Sequence, residues 1–212
     1  MKDMKAYDLI IFDLDGTLLD TSRGIFNSVR FSEQKMGLIP MPEERLKEFV
    51  GPPPQKMYAS IYNLDEAQAF QATFYHRQYG KEHGIYEATI YPGIKELLNT
   101  LKTQGVKLAV ATLKLENIAE KVLLHYGLYD LFDVIVGMDV DESLTKAKTI
   151  ELVLKKMGVV NEKALMVGDS SYDEMGARQI GVDFVAALYG FGFSNETTLT
   201  AINYPLELLN IL

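Results

Sequence analysis

Asp13 and Asp15 stand two residues apart, directly after the short apolar run Tyr7–Phe12 and just before Gly16-Thr17. Two carboxylates at this spacing in a loop lie on opposite sides of one backbone turn, and a glycine after them lets the chain bend sharply. Burying two like charges so close together is unfavourable unless a cation or a shared proton offsets it, and either arrangement suits catalysis. Related groups stand where other strands should end. Thr112 follows Val106–Ala111, Lys146 opens the helix that follows Asp133–Val136, and Gly168-Asp169-Ser170-Ser171-Tyr172-Asp173 follows Ala164–Val167. Three carboxylates invite a hard divalent cation with oxygen ligands, for which magnesium is the usual choice. A lysine and a threonine supply positive charge and a donor for an anion, and together the set suits a phosphoryl group.

These groups can meet only if the intervening elements bring them to one edge. Tyr7–Phe12, Val106–Ala111, Asp133–Val136, Ala164–Val167 and Asp183–Ala187 read as strands buried on both faces. Helical spacings of apolar residues separate the later ones: Ile94, Leu97, Leu98 and Leu101 before Gly105; Ala119, Val122, Leu123 and Tyr126 before Gly127; Ile150, Val153, Leu154 and Met157 before Gly158. Right-handed βαβ units of this kind predict an α/β fold, a doubly wound parallel sheet with helices on both faces. Ligands bind such sheets beyond the carboxyl ends of the strands, near the point where strand order reverses.

One segment breaks the alternation. Residues 20–86 carry helical patterns and no convincing strand, with Ile25, Val29, Met36, Leu46, Phe49, Ile61, Phe70 and Phe74 as inner-face residues and Gly51-Pro52-Pro53-Pro54 as a stiff turn. The expectation is a core domain of residues 1–19 and 87–212 with a helical domain, residues 20–86, inserted after strand one. Asp20 reads as a cap for the first inserted helix, and the aromatic stripe Phe70, Phe74, Tyr75 and Tyr79 as the core of the insert.

The 212 residues carry a net charge of −8, which disfavours nucleic-acid backbones and anionic membranes as partners, and no basic run offsets it. There is no cysteine, which excludes disulfide, thiolate and cysteine–zinc chemistry and fits a cytoplasmic setting. No stretch approaches the ~20 apolar residues of a membrane helix, and the N-terminal run is too short for a signal-peptide core. Oligomeric state has no signature in the sequence.

The motifs Asp13–Asp20, Thr112, Lys146 and Gly168–Asp173 resemble, in order and spacing along the whole chain, those of the haloacid dehalogenase superfamily. A helical insert after the first motif, Gly51-Pro52-Pro53 within it and Tyr91-Pro92-Gly93-Ile94 on the return are similar to the phosphoglycolate-phosphatase-like branch, with its helical first-type cap. The resemblance implies a magnesium-dependent phosphatase. Asp13 would be the nucleophile that forms a phosphoaspartate. Asp15 would be the general acid and base, binding the metal through its backbone carbonyl. Asp169 would be the second metal carboxylate and Thr112 a phosphate ligand. Lys146 would hold phosphate against Asp13, with Asp173 orienting Lys146 or the metal's waters.

Lys148 and Lys114 are rivals to Lys146, and Asp173 has the alternative of simply capping a helix. Thr145, as a cap, would place Lys146 at the helix start, which favours Lys146. His76, His83 and His125 match no motif and read as structural or surface residues, while Arg23 and Lys56 read as surface bases of the insert, with reaching a substrate as the alternative. The branch often has Ser before Lys114, Pro after it, and Arg at the Ser170 position; these departures touch substrate identity rather than chemistry. The expected partner is a small phosphorylated metabolite: phosphoglycolate, a sugar phosphate or a nucleoside monophosphate. A phosphomutase or a catalytically silent regulatory protein are the alternatives. Dehalogenation needs neither Asp15 nor a metal, and the phosphonate-cleaving branch lacks an acid at the Asp15 position.

Overall fold

The computed structural model describes residues 7–141, 143–194 and 197–212. The chain enters on β1 (Leu9–Phe12) and β2 (Leu19–Asp20), then passes through α1 (Ser22–Met36), α2 (Glu43–Leu46), α3 (Pro54–Tyr62) and α4 (Glu66–Glu82). It returns on β3 (Thr89–Ile90) and α5 (Ile94–Thr103). From there it alternates through β4 (Lys107–Leu115), α6 (Glu116–His125), β5 (Val134–Met138), α7 (Lys146–Met157), β6 (Ala164–Gly168), α8 (Ser171–Gln179) and β7 (Asp183–Ala187), ending on β8 (Ala201–Ile202) and a 3-10 turn. The residues fall into two compact units, one running to Leu19 and resuming at Ile90, the other spanning Asp20–Thr89.

In the first unit the sheet order is β5-β4-β1-β6-β7-β8, parallel throughout. All four β1 residues are fully buried, as befits a central strand covered on both faces. Strand alternation sends Leu9 and Ile11 to the face where Ile150, Val153 and Leu154 of α7 and Ala177 of α8 pack. On α5, Ile94, Leu97, Leu98 and Leu101 are buried, the 3.6-residue stripe the sequence predicts. From β1 the chain winds out through β4 to β5, then crosses back to β6 on the other side of β1. Strand order therefore reverses beside β1, and the loops after β1 and β6 open on the same switch point.

Local caps set the helix starts that matter here. Thr145 accepts a hydrogen bond from the Lys148 N–H at 3.2 Å, which makes Lys146 the first residue of α7, and Gly158 ends the helix at φ 65°.

Three features depart from the sequence reading. β4 runs on to Leu115, past the expected end at Ala111, because pairing with β5 resumes at Leu115–Met138 after an irregularity. Thr112 therefore lies inside this strand rather than after it. Two strands of two residues each, β2 and β3, pair with each other where no strand was expected. β8 beyond β7 was also unforeseen.

The second unit is helical. Its core is Val29, Met41, Leu46, Phe49, Tyr58, Ala69 and Ala72. Phe70 and Phe74 are 62% and 60% exposed, so they are not core residues. The buried side chains of α4 are small, Ala69, Ala72 and Thr73, and those of α1 are Gly24, Ser28, Val29, Ser32 and Glu33. Small residues let the two helices approach until the Ser32 hydroxyl donates to the Ala72 carbonyl at 2.7 Å. That close approach turns the bulky α4 residues outward. Gly24 and Gly84 show the same economy: a Cβ on Gly24 would stand 2.4 Å from the Gly84 carbonyl oxygen. Asp20 accepts from both the N–H and the hydroxyl of Ser22 at the start of α1. His76 stacks on Phe49 and bonds the Tyr58 hydroxyl at 3.3 Å, a packing role. Among the described residues no helix is long and apolar enough to cross a membrane.

Candidate active site

The site is a buried cluster of charge at the carboxyl ends of β1, β4 and β6. The Asp13 N–H still belongs to the sheet, donating to the Val167 carbonyl at 3.0 Å. The loop then turns on Gly16, at φ 80°, where the Gly16 N–H donates to Leu19 and the N–H groups of Leu18 and Leu19 return to Leu14. This tight turn keeps Asp13 and Asp15 buried at 4% and 5% exposure.

Lys146 lies across the mouth of the sheet, itself buried. Its Nζ donates to Asp13 Oδ1 at 2.7 Å and to the Ala111 carbonyl at 2.9 Å. Asp173 Oδ1 is also 2.7 Å from Nζ, a second buried ion pair. Asp173 Oδ2 accepts from the Ser170 N–H and hydroxyl, so the same carboxylate also caps α8. The rival Lys148 is half exposed and pairs with Glu151. Lys114 has a place of its own: its Nζ is 2.9 Å from Asp15 Oδ2. Asp15 Oδ1 is buried with no hydrogen-bond partner. The buried Thr112 hydroxyl accepts the Lys114 N–H at 3.2 Å.

Asp169 completes the cluster. Its Oδ2 accepts from the Phe191 N–H at 2.8 Å. The neighbours on that side come from the loop after β7, which sequence reasoning passed over. The available signal was Gly190-Phe191-Gly192, two glycines just past a strand at the site edge of the sheet. Tyr189 in this loop is largely buried, and its hydroxyl donates to the Thr17 carbonyl at 3.1 Å. Burial, aided by nearby Tyr91 and Asp169, holds this phenol protonated far above its usual range.

Four buried carboxylates face two ammonium groups, so the cluster is short of positive charge. Burial, the largest cause, pushes the Asp13 carboxyl up to about 7; Lys146 opposes this, while Asp173 and Asp15 reinforce it. Asp169 is raised well above the ordinary carboxylate range, by burial first and then by the charges of Asp173 and Asp13. Burial alone would lower Lys146, yet Asp13 and Asp173 outweigh it and hold the ammonium above its usual value. A divalent cation would correct this deficit. Oxygens of Asp13, Asp169 and Asp173 lie within 4.8 Å of one another. Ligands on opposite sides of one small hard cation stand about 4.2 Å apart, so these oxygens need move little to share an ion. The all-oxygen donor set fits such an ion.

A parallel α/β sheet with carboxylates and a buried lysine at its switch point defines a phosphoryl-handling class of site. The family model of haloacid dehalogenase-like hydrolases matches residues 10–187, and the chain belongs to that family. Its relatives include the 5'-nucleotidase of Pseudomonas aeruginosa, 37% identical over 191 residues that cover 90% of this chain and 86% of that one. They also include tyrosine-protein kinase PtkA of Mycobacterium tuberculosis, 36% identical over 92% of this chain and 68% of that one. The crystal structure of a predicted phosphatase from Clostridium acetobutylicum superposes with a TM-score of 0.91, at 36% identity and 97% coverage of each chain.

Proposed function

We propose that this hydrolase cleaves small phosphomonoesters through a phosphoaspartate on Asp13, with magnesium as its cation. It is a phosphoric monoester hydrolase of the haloacid dehalogenase type, and its named relatives support that reading. The observation that carries it is the buried Lys146 ammonium on Asp13 Oδ1, with Asp169 and Asp173 close enough to share a cation with Asp13.

In this reading Asp13 attacks phosphorus, an Asp13 O–P bond forms and the ester P–O bond breaks. Asp15 gives the departing alcohol oxygen its proton. Asp15 then takes a proton from water as the water attacks the phosphoaspartate, which releases inorganic phosphate and restores Asp13. Lys146 and Thr112 offset and bind the phosphoryl oxygens, and preorganised charge of this kind usually supplies the largest share of catalysis. Asp13, the backbone carbonyl of Asp15 and Asp169 would hold the magnesium, with Asp173 steadying Lys146. The ion, when bound, supplies positive charge against the phosphoryl group and lets Asp13 stay ionised. The helical unit acts as the cap that selects the substrate, and the cysteine-free, acidic chain works on cytoplasmic metabolites.

The test is phosphate release from p-nitrophenyl phosphate, and then from phosphoglycolate, sugar phosphates and nucleoside monophosphates, with magnesium or with EDTA. Release that stops with EDTA and in Asp13→Asn is the expected result. Activity persisting in Asp13→Asn would sink the phosphoaspartate. Phosphoryl transfer to a second hydroxyl with no phosphate released would make the chain a mutase or kinase instead.

A further inference from the structure

The segment after β7 approaches Asp169 more closely than any side chain would allow. A Cβ on Gly190 would stand 2.3 Å from the Asp169 Cβ and 2.5 Å from the Gly16 carbonyl oxygen. One on Gly192 would be 2.6 Å from the Asp169 carbonyl oxygen, and one on Gly16 would be 2.2 Å from Asp169 Oδ2. Gly16 and Gly190 thus wall in the Asp169 carboxylate from two loops, and Gly192 closes on the main chain behind it. The wall also holds on to its captive, because the Phe191 N–H donates to Oδ2 at 2.8 Å. Tyr189 ties the same segment to the nucleophile loop through Thr17, and its ring packs edge-on against Tyr91 with centroids 4.9 Å apart. The loop after β1 and the loop after β6 are therefore joined through a third segment, Tyr189-Gly190-Phe191-Gly192, that carries no charged side chain.

We propose that Tyr189-Gly190-Phe191 is a positioning clamp for the cation site: it fixes the Asp169 carboxylate through Oδ2, leaves Oδ1 to the divalent ion, and holds Asp169 at a set distance from the Asp13 loop. The clamp touches neither substrate nor ion. It acts by removing the rotation that Asp169 would otherwise lose on binding, so the cation meets a preorganised pair of carboxylates. The inference rests on Asp169 being a cation ligand.

Two variants test it in the substrate-free protein, with Mn2+ alone as the probe and the unbound ion counted by electron paramagnetic resonance. Gly190→Ala should weaken Mn2+ binding by about 10- to 100-fold, the usual cost of disturbing groups that orient metal ligands. Tyr189→Phe, which removes one hydroxyl and leaves the wall in place, should weaken it by about threefold. Thermal melts without metal run alongside. A folded Gly190→Ala with a lowered Tm and unchanged Mn2+ affinity would make the segment merely structural and overturn the clamp. If Gly190→Ala does not fold, Tyr189→Phe decides, and unchanged affinity there overturns the clamp as well. A wild-type protein that binds neither Mn2+ nor Mg2+ removes the cation reading itself, a failure distinct from that of the clamp.

Discussion

Both units bury charge, and they do so to opposite ends. In the helical unit Glu33 is buried on α1, and its carboxylate is fully answered. Arg30 bonds both oxygens, and the Tyr62 hydroxyl and the Met41 N–H bond Oδ's counterpart here, Oε1. In the sheet unit, four carboxylates share two ammonium groups, one oxygen of Asp15 has no hydrogen-bond partner, and Asp13 and Asp169 are driven towards protonation. A buried charge whose partners are complete is a structural tie. One whose partners are missing is a socket, held ready by the fold for something that comes and goes.

The sharpest break between the two comes from Asp13→Asn. Phosphatase turnover should fall by more than about a thousandfold, as expected for a lost nucleophile. Metal-free stability at pH 8 should stay level or rise, because one surplus buried charge is gone; a large loss of stability would mean that Asp13 is a tie after all. Lys146→Met should remove activity and also cost roughly 3–5 kcal/mol of stability in urea unfolding, since it leaves buried carboxylates uncompensated. Glu33→Ala should cost about 2–3 kcal/mol, through an orphaned tyrosine hydroxyl and backbone N–H, with Mn2+ affinity unchanged. A change in that affinity would erase the distinction between tie and socket.

Acidity offers a graded test. Asp13 is raised in the folded protein from its model-peptide value near 4 to about 7, so the metal-free protein gains from Asp13 fully below the lower value. That contribution is lost as pH rises through about 7. Chemical denaturation from pH 5 to 8 should show falling stability without a divalent ion and a flatter profile with one, accompanied by proton release on binding. The smallest effect belongs to Lys148→Met. Lys148 is a half-exposed surface lysine, so activity should be unaltered and stability should stay within about 0.5 kcal/mol.

Much of this arrangement is legible in the sequence, because it depends on position along strands. Asp13, Asp15, Thr112, Asp169 and Asp173 stand at or near the ends of apolar runs, Lys146 opens the helix after another, and a parallel sheet brings those ends to one edge. The Thr145 cap separates Lys146 from Lys148, and it is the Lys146 ammonium that lies on Asp13. Lys114 was visible only as a rival for the role of Lys146, because no spacing rule says that its side chain turns to Asp15. The Gly190–Gly192 contacts are made by backbone atoms, which a sequence names only through its glycines, and no spacing rule aims the Tyr189 hydroxyl at Thr17. Phe70 and Phe74 misled for a different reason. Large apolar residues signal a buried face only where helices stand far enough apart to admit them, and α1 and α4 do not.

Asp173 divides its two oxygens between the first turn of α8 and the ammonium of Lys146. Any redistribution of charge at the centre is therefore felt by a peptide amide outside it. The Ser170 amide proton is a built-in gauge: its exchange with solvent deuterium should report how firmly Asp173 is held, and so whether the site is filled or empty, without a substrate and without a label.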